Sequence, residues 1–137
     1  MCGRFTNRYT WRELHTLYSL TDRDMIRSNF PPRYNIAPTQ KSLIVRETNG
    51  VRELADLRWG LVPSWAKDTK GAARCINARA ETVADKPSFR SAFKSRPCLV
   101  VADGYYEWKG DYILDIATSI RPVTCLDASL IHITLCT

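Results

Sequence analysis

Cys2 stands directly behind the initiator methionine, so it becomes the N-terminal residue wherever Met1 is removed. An N-terminal cysteine carries an amine and a thiol on adjacent carbons. This 1,2-aminothiol can condense with an aldehyde through the amine and then close a five-membered thiazolidine ring through the sulfur. An α-amino group has a pKa of about 7.7–8.0, so a fair fraction is an uncharged nucleophile near neutral pH. The alternative role of Cys2 is structural, as a small residue that opens a buried first strand.

Polar side chains that packing alone does not explain occur in two further segments. Asn77, Arg79 and Glu81 alternate just after a predicted short strand, and they share one face if the chain stays extended there. A solvated strand face explains this pattern equally well. Glu107 lies between aromatic residues, where partial burial would raise the pKa of its carboxyl toward the range of a general acid or base. Its structural alternative is an ion pair with an arginine.

Periodicity and turn signals predict the elements that must position these residues. Residues 10–13 have the form of a capping box, which predicts a helix over about residues 11–20. Strands are predicted at residues 42–46 and 52–59, with a hairpin connection at residues 48–50.

The second half of the chain continues this pattern of short elements. A helix is predicted at residues 87–94 and short strands at residues 75–77, 98–102 and 105–108. A loop is predicted at residues 60–74. The stretch 58–65 has two tryptophans around the glycine and proline of this loop, and one tryptophan is expected in the core. Many short strands, few helices and no βαβ alternation predict an α+β fold built on a mainly antiparallel sheet or barrel.

Size and composition are those of one soluble domain. The 137 residues carry 20 Lys+Arg against 14 Asp+Glu, a formal net charge of +6. This excess favours polyanionic partners such as nucleic acid, although a solvated basic surface is an equal alternative. The five cysteines form no CxxC pair and no Cys/His cluster, which argues against a zinc site or a disulfide framework. No signal peptide or membrane-spanning run is visible, so a reduced, cytoplasmic protein without metal or cofactor is expected.

Six sequence motifs occur along residues 1–109, at residues 1–5 (MCGRF), 33–38 (RYNIAP), 58–65 (RWGLVPSW), 76–82 (INARAET), 86–90 (KPSFR) and 102–109 (ADGYYEWK). Together, and in this order, they resemble the SOS-response-associated peptidase (SRAP) family, the abasic-site processing proteins. The resemblance implies an α+β fold with a mainly antiparallel, barrel-like sheet and a few short helices.

The resemblance also implies a reaction, in which the protein recognises abasic sites in single-stranded DNA and links itself to them covalently. On that pattern Met1 is removed, the amine of Cys2 forms a Schiff base with the ring-opened sugar aldehyde, and its sulfur closes the thiazolidine. Asn77 matches the family's catalytic asparagine and would hold the N-terminus or the sugar. Glu107 matches the family's glutamate and would transfer protons during dehydration and ring closure.

DNA contacts are implied in the same way. Arg4 and Arg79 match arginines expected to bind phosphates beside the lesion, which agrees with the basic charge of the chain. Trp65 and Pro38 match positions expected to pack on bases next to the gap. Binding is therefore expected to depend on DNA structure and not on sequence. The resemblance is to a monomeric, bacterial-type cytoplasmic protein that is associated with the nucleoid when it acts on DNA.

The motifs cover residues 1–109, which we assign to the N-terminal part of a SRAP domain. Residues 110–137 lack the family's Ile-His-x-Arg-x-Pro context, and Ile131-His132 is its only echo. His132 is the one candidate for the family histidine, but the favoured interpretation is an unrelated tail after a truncation or frameshift, which would leave the fold incomplete at its C-terminus.

Two other functions remain open from the sequence. An N-terminal-nucleophile peptidase or amidohydrolase would use the sulfur of Cys2 on an amide bond. A non-catalytic remnant would bind single-stranded DNA through its arginines and Trp65 without completing the chemistry.

Overall fold

The computed structural model describes residues 3–21, 30–109 and 112–116. Its strands and helices are all short, and a 3₁₀ helix (Lys70–Arg74) lies in the long loop at the middle of the chain. In chain order the elements are β1 (Arg4–Asn7), α1 (Trp11–Tyr18), β2 (Arg33–Ile36), β3 (Lys41–Thr48), β4 (Val51–Arg58), α2 (Ala80–Val83), α3 (Pro87–Ser95), β5 (Leu99–Val100), β6 (Gly104–Lys109) and β7 (Tyr112–Ile116).

The strands form two antiparallel sheets. The first has the order β2-β1-β6-β7 and the second the order β4-β3-β5. The predicted α+β class with antiparallel pairing is thereby confirmed. Among the described strands the two sheets stay separate and do not close into a barrel.

Helix α1 begins where the capping box predicts. The Thr10 hydroxyl accepts a hydrogen bond from the Glu13 backbone N–H (3.4 Å), and the Glu13 carboxylate accepts one from the Thr10 N–H (2.7 Å). The helix ends at Tyr18, before the predicted residue 20, because Ser19 takes a left-handed conformation with φ 52°. Leu14 and Tyr18 pack against the second sheet and form its hydrophobic core with Leu20, Leu43, Val45, Leu54 and Val101.

The hairpin of β3 and β4 also follows its prediction. Asn49 and Gly50 both have positive φ values, 53° and 76°, which suit the right-handed twist of a two-residue hairpin turn. All eight residues of β3 pair with β4, from Lys41 opposite Arg58 to Thr48 opposite Val51. Strand β3 is therefore longer than predicted, whereas β4 has the predicted length and is shifted by one residue.

The predicted strand at residues 75–77 is wrong. These residues have no strand partner, because their carbonyls are used by the loop that follows β4: Leu61 N–H donates to the Cys75 oxygen (3.1 Å), and the Trp59 indole N–H donates to the Ile76 oxygen (2.9 Å). Side-chain and loop hydrogen bonds thus replace a sheet ladder. No helix of the described residues is long and apolar enough to cross a bilayer.

Candidate functional site

The start of β1 lies between β2 and β6. Arg4 pairs with Tyr106 of β6, and Phe5 pairs with Tyr105 on one side and Ile36 of β2 on the other. The three motifs that contain these residues, which are far apart in the sequence, therefore meet in one sheet at the N-terminal end of the described chain.

A buried aromatic cluster supports this sheet from one face. Phe5, Ile36 and Trp59 form its centre, and Ile76 and Tyr105 are among the residues that pack against it; we call it the Trp59 cluster. The rings of Phe5 and Trp59 lie 5.1 Å apart at an angle of 58°. The expectation that one of the two tryptophans is in the core is confirmed, since Trp59 is 2% exposed.

The Trp59 cluster also fixes the segment that leads to Asn77. The hydrogen bond from the Trp59 indole to the Ile76 carbonyl holds the residue directly before Asn77. Asn77 itself is half-buried. The backbone entering Asn77 is thus anchored on the same cluster as the start of β1 and the start of β6.

The expected alternation of Asn77, Arg79 and Glu81 on one extended face does not occur. Arg79 is exposed and is the last extended residue, with φ −82° and ψ 135°, at the N-cap position of α2. Glu81 lies inside that short helix. Because the chain turns into a helix at Ala80, Glu81 leaves the face that Asn77 and Arg79 would share.

Trp65 and Pro38 lie on either side of Trp59 in the chain, Trp65 in the loop after β4 and Pro38 in the turn after β2. Trp65 is 60% exposed in the loop after β4, where it lines a shallow groove with Pro63 and Pro87. Pro38 is half-buried in the turn after β2. That turn is bound to Trp59 by two backbone hydrogen bonds, Thr39 N–H to the Trp59 oxygen and Trp59 N–H to the Gln40 oxygen, each 2.9 Å.

Three predicted site residues have limited or no structural description. Cys2 and His132 lie outside the described residues. Glu107 is described by its backbone, which is part of β6 and pairs with Leu114. Gly3 connects Cys2 to β1, and a Cβ added to it would meet no atom within 4 Å. Among the described residues no group of His, Cys, Asp and Glu is arranged to hold a metal ion.

Asn35 and Asp103 make side-chain contacts that the sequence did not predict, although both residues lie in the motifs quoted above. The side-chain amide oxygen Oδ1 of Asn35 accepts a hydrogen bond from Arg4 Nη1 at 2.9 Å. The Asp103 carboxylate accepts one from the Thr6 hydroxyl at 2.8 Å and one from Arg8 Nε. Their position in a motif was the only available signal, because both partners lie far away in the sequence.

The contacts of Asp103 connect the end of β1 to the start of β6. The Asp103 N–H also donates to the Thr6 carbonyl at 3.1 Å, so backbone and side chain bind the same neighbour. Burial of the carboxyl raises its pKa, but the hydrogen bonds from Arg8 and Thr6 outweigh that effect and hold the pKa of Asp103 below its ordinary value of 3.8. The ionised carboxylate therefore stabilises the pairing of β1 with β6.

Replacing Asp103 with asparagine is expected to lower the free energy of unfolding at neutral pH by about 1 kcal/mol, because a charge-assisted contact with a half-exposed arginine is lost. Since the folded pKa lies below the unfolded value, this stability is present above pH 3.8 and is lost as the pH falls through the lower, folded pKa. Urea unfolding at a series of pH values checks this.

The matched control for that series is Asp85→Asn, which changes an exposed carboxylate in the short connection between α2 and α3. It is expected to leave the unfolding free energy and its acid dependence close to those of the unmodified chain. A difference between Asp103→Asn and the unmodified chain that stayed constant from neutral pH to acid would contradict the role of the ionised carboxylate.

Comparison with known families and relatives shows a strong sequence match. The model of the SOS response associated peptidase (SRAP) family matches residues 1–121. Abasic site processing protein YoqW of Bacillus subtilis is 42% identical over 109 residues, which cover 80% of this chain and 48% of YoqW. Abasic site processing protein HMCES of Rattus norvegicus is 32% identical over 129 residues, covering 80% of this chain and 36% of HMCES. The chain spans about half the length of the bacterial relatives named here and about a third of the length of the vertebrate ones.

Solved structures share the fold. A protein from Bacteroides thetaiotaomicron superimposes with a TM-score of 0.69 at 24% identity, covering 88% of this chain and 56% of that chain. A phage-related protein from Bordetella bronchiseptica has a TM-score of 0.58 at 28% identity and covers 79% of this chain and 47% of its own. The two-sheet arrangement is therefore one that larger experimental structures also contain.

Proposed function

Because this chain belongs to the SOS response associated peptidase (SRAP) family, we propose that it recognises abasic sites in single-stranded DNA and forms a thiazolidine crosslink to them through Cys2 once Met1 is removed. The names of the relatives, abasic site processing proteins, support the substrate class. The role is one in the DNA damage response. It is carried out by a monomer in the cytoplasm, where the DNA of a bacterial-type cell lies.

The observation that carries the proposal is the pairing of Arg4 with Tyr106. Glu107 is the next residue of β6, and Cys2 precedes Arg4 by two residues. Covalent geometry limits the distance between the Cα atoms of Cys2 and Arg4 to about 7.6 Å. This short connection allows an amine and a thiol at the N-terminus to reach the Glu107 position, and the proposal has both residues act on one small substrate group.

The way in which the segment before Asn77 is anchored supports a role for Asn77 beside the same substrate group. The segment before it is held by the Trp59 indole, and the Trp59 cluster also contains Phe5 of β1 and Tyr105 of β6. A carboxamide can both donate and accept hydrogen bonds, so it suits the task of holding an amine, a hydroxyl or an aldehyde oxygen.

The proposed reaction begins when the neutral amine of Cys2 adds to the aldehyde carbon of the ring-opened sugar and gives a carbinolamine. Glu107 as a carboxylic acid donates a proton to the leaving hydroxyl, and water departs as the C=N bond forms. The thiolate of Cys2 then attacks the imine carbon, forming the C–S bond, and the nitrogen takes up a proton. One water is released in total, and no oxidant, metal or cofactor takes part.

Charge and exposure support the DNA contacts. Arg4 and Arg79 are exposed, as phosphate-binding guanidinium groups must be, and the formal charge of the chain is +6. The exposed indole of Trp65 offers a flat surface for a base, and the half-buried Pro38 offers a smaller, rigid one. Neither type of contact reads base identity, so sequence-independent binding follows.

The experiment that tests the function uses two single-stranded oligonucleotides of the same sequence, one with an abasic site and one with its tetrahydrofuran analogue, which has no aldehyde. The proposal expects a protein–DNA band that survives denaturation with the first oligonucleotide only. Binding without such a band would indicate the non-catalytic alternative. Cleavage of a peptide substrate without any DNA adduct would indicate the N-terminal-nucleophile peptidase.

Replacing Glu107 with glutamine is expected to slow adduct formation by about 100-fold, the lower range for loss of a general acid, while leaving affinity for the tetrahydrofuran oligonucleotide unchanged. Single-turnover time courses measure the rate. Glu81→Gln is the matched control, because Glu81 is an exposed glutamate of α2. Equal rates for Glu107→Gln and the unmodified protein would remove Glu107 from the proton transfer.

A further inference from the structure

Asn35 is an exposed residue of the edge strand β2 whose side chain reaches the neighbouring strand β1. Its side-chain amide oxygen Oδ1 accepts the hydrogen bond from Arg4 Nη1 at 2.9 Å, across 31 residues of sequence. The contact joins Asn35 to the arginine that stands two residues after Cys2.

The strand that carries Asn35 is itself held in place. Ile36, the next residue, is 1% exposed in the Trp59 cluster and pairs with Phe5. On the other side of Asn35, the Tyr106 hydroxyl donates to the Tyr34 carbonyl at 3.0 Å, which connects β2 to β6 across β1. Asn35 is therefore fixed at both neighbouring residues, and its side chain can hold a partner in a defined direction.

This contact differs in chemistry from those of two arginines bound to carboxylates, and it resembles that of Arg33, whose Nη2 donates to the side-chain amide oxygen of Gln40 at 3.0 Å. Arg8 and Arg46 donate to the carboxylates of Asp103 and Glu53, which offset the guanidinium charge. The Asn35 oxygen belongs to a neutral amide, so it orients one N–H of Arg4 without adding a negative charge beside it. A guanidinium carries five N–H groups in one plane, so a single such bond can orient the fork that meets a phosphate.

We propose that Asn35 is a positioning residue, which orients the Arg4 guanidinium toward a DNA phosphate beside the lesion through a hydrogen bond that itself adds no negative charge. The inference deepens the proposed function and rests on it, since the phosphate contact of Arg4 is part of that function.

The test compares Asn35→Asp and Asn35→Ala in binding a fluorescent single-stranded oligonucleotide with one tetrahydrofuran site, at several salt concentrations. Asn35→Asp keeps the shape but pairs Arg4 with a negative charge. It is expected to reduce the slope of log affinity against log salt by about 0.7, the value for one phosphate contact to a single strand, and the same reduction is expected for Arg4→Ala. Asn35→Ala keeps the charge of Arg4, so its slope should stay unchanged while affinity falls about 3- to 10-fold through lost orientation.

Asn49→Asp is the matched control, because it makes the same amide-to-acid change at an exposed position in the turn between β3 and β4. It should leave slope and affinity close to those of the unmodified protein. If Asn35→Asp also behaves like the unmodified protein, or if Asn35→Ala binds as tightly, the positioning role is wrong. Thermal unfolding of each variant separates a loss of fold from a loss of binding.

The outcomes also separate this inference from the proposed function. A changed salt slope in Asn35→Asp, in a protein that forms no adduct with the aldehyde-bearing oligonucleotide, would overturn the crosslinking function and keep the positioning role. An adduct from the unmodified protein together with an unchanged slope in Asn35→Asp would do the reverse.

Discussion

Replacing Cys2 with alanine is expected to abolish the denaturation-resistant adduct with abasic single-stranded DNA. The variant keeps its N-terminal amine, so it can form a Schiff base, but it has no sulfur to close the ring. The imine then hydrolyses when the protein is denatured. A hydride donor such as cyanoborohydride reduces the imine to a stable amine and should recover the band in Cys2→Ala. The comparison of gels with and without reductant measures both steps of the reaction separately.

A second change at the N-terminus tests whether the amine and the thiol must belong to the same residue. One alanine inserted between Met1 and Cys2 keeps the thiol but moves the α-amine to a different residue, so the five-membered ring cannot form. Loss of the stable adduct is expected again. Cys75→Ala is the control, because Cys75 is a half-buried internal thiol. A stable adduct that persists without reductant in Cys2→Ala would show that another residue makes the bond.

Replacing Gly60 with alanine is expected to lower the free energy of unfolding by about 3 kcal/mol, which combines backbone strain with a direct clash. Gly60 has a φ of +128°, and a Cβ added there would lie 2.7 Å from the backbone oxygen of Ala72. That oxygen accepts the hydrogen bond of the Cys75 N–H at 3.0 Å. Moving it disturbs the segment that leads to Asn77, so adduct formation should slow as well.

Gly50→Ala separates the two causes of the stability loss in Gly60→Ala, which are backbone strain and the direct clash. Gly50 also has a positive φ of +76°, but a Cβ there would meet nothing within 4 Å. Its cost is therefore backbone strain alone, about 1 kcal/mol. Urea unfolding of both variants gives the comparison. Equal losses of stability would show that the contact between residues 60 and 72 does not constrain the loop.

Local signals in the sequence predicted much of the fold. The capping box of residues 10–13 marks the start of α1, and the Asn-Gly pair at residues 49–50 marks the hairpin, because each depends on neighbouring residues only. The segment at residues 75–77 was predicted wrongly as a strand, because its hydrogen bonds come from Trp59 and Leu61, which no local pattern shows.

In the candidate site too, the sequence identified residues, whereas their contacts with distant residues are seen only in the structure. The motif order predicted which residues to consider, and the structure joins the motifs of β1, β2 and β6 in one sheet. The contact of Arg4 with Asn35 spans 31 residues and that of Thr6 with Asp103 spans 97. Such contacts depend on sheet register, which is set by tertiary packing. The roles of Cys2 and His132 remain predictions, since both residues lie outside the described ranges.

The most direct measurement of the central claim is the mass spectrum of the adduct after digestion of both protein and DNA. We predict that the adduct forms without reductant and that the sugar remnant is on the N-terminal peptide Cys2-Gly3-Arg4. Its mass should equal peptide plus aldehyde minus one water, with no free thiol on Cys2. A remnant on a lysine, or one seen only after hydride reduction, would contradict the thiazolidine and the role of Cys2 as the covalent nucleophile.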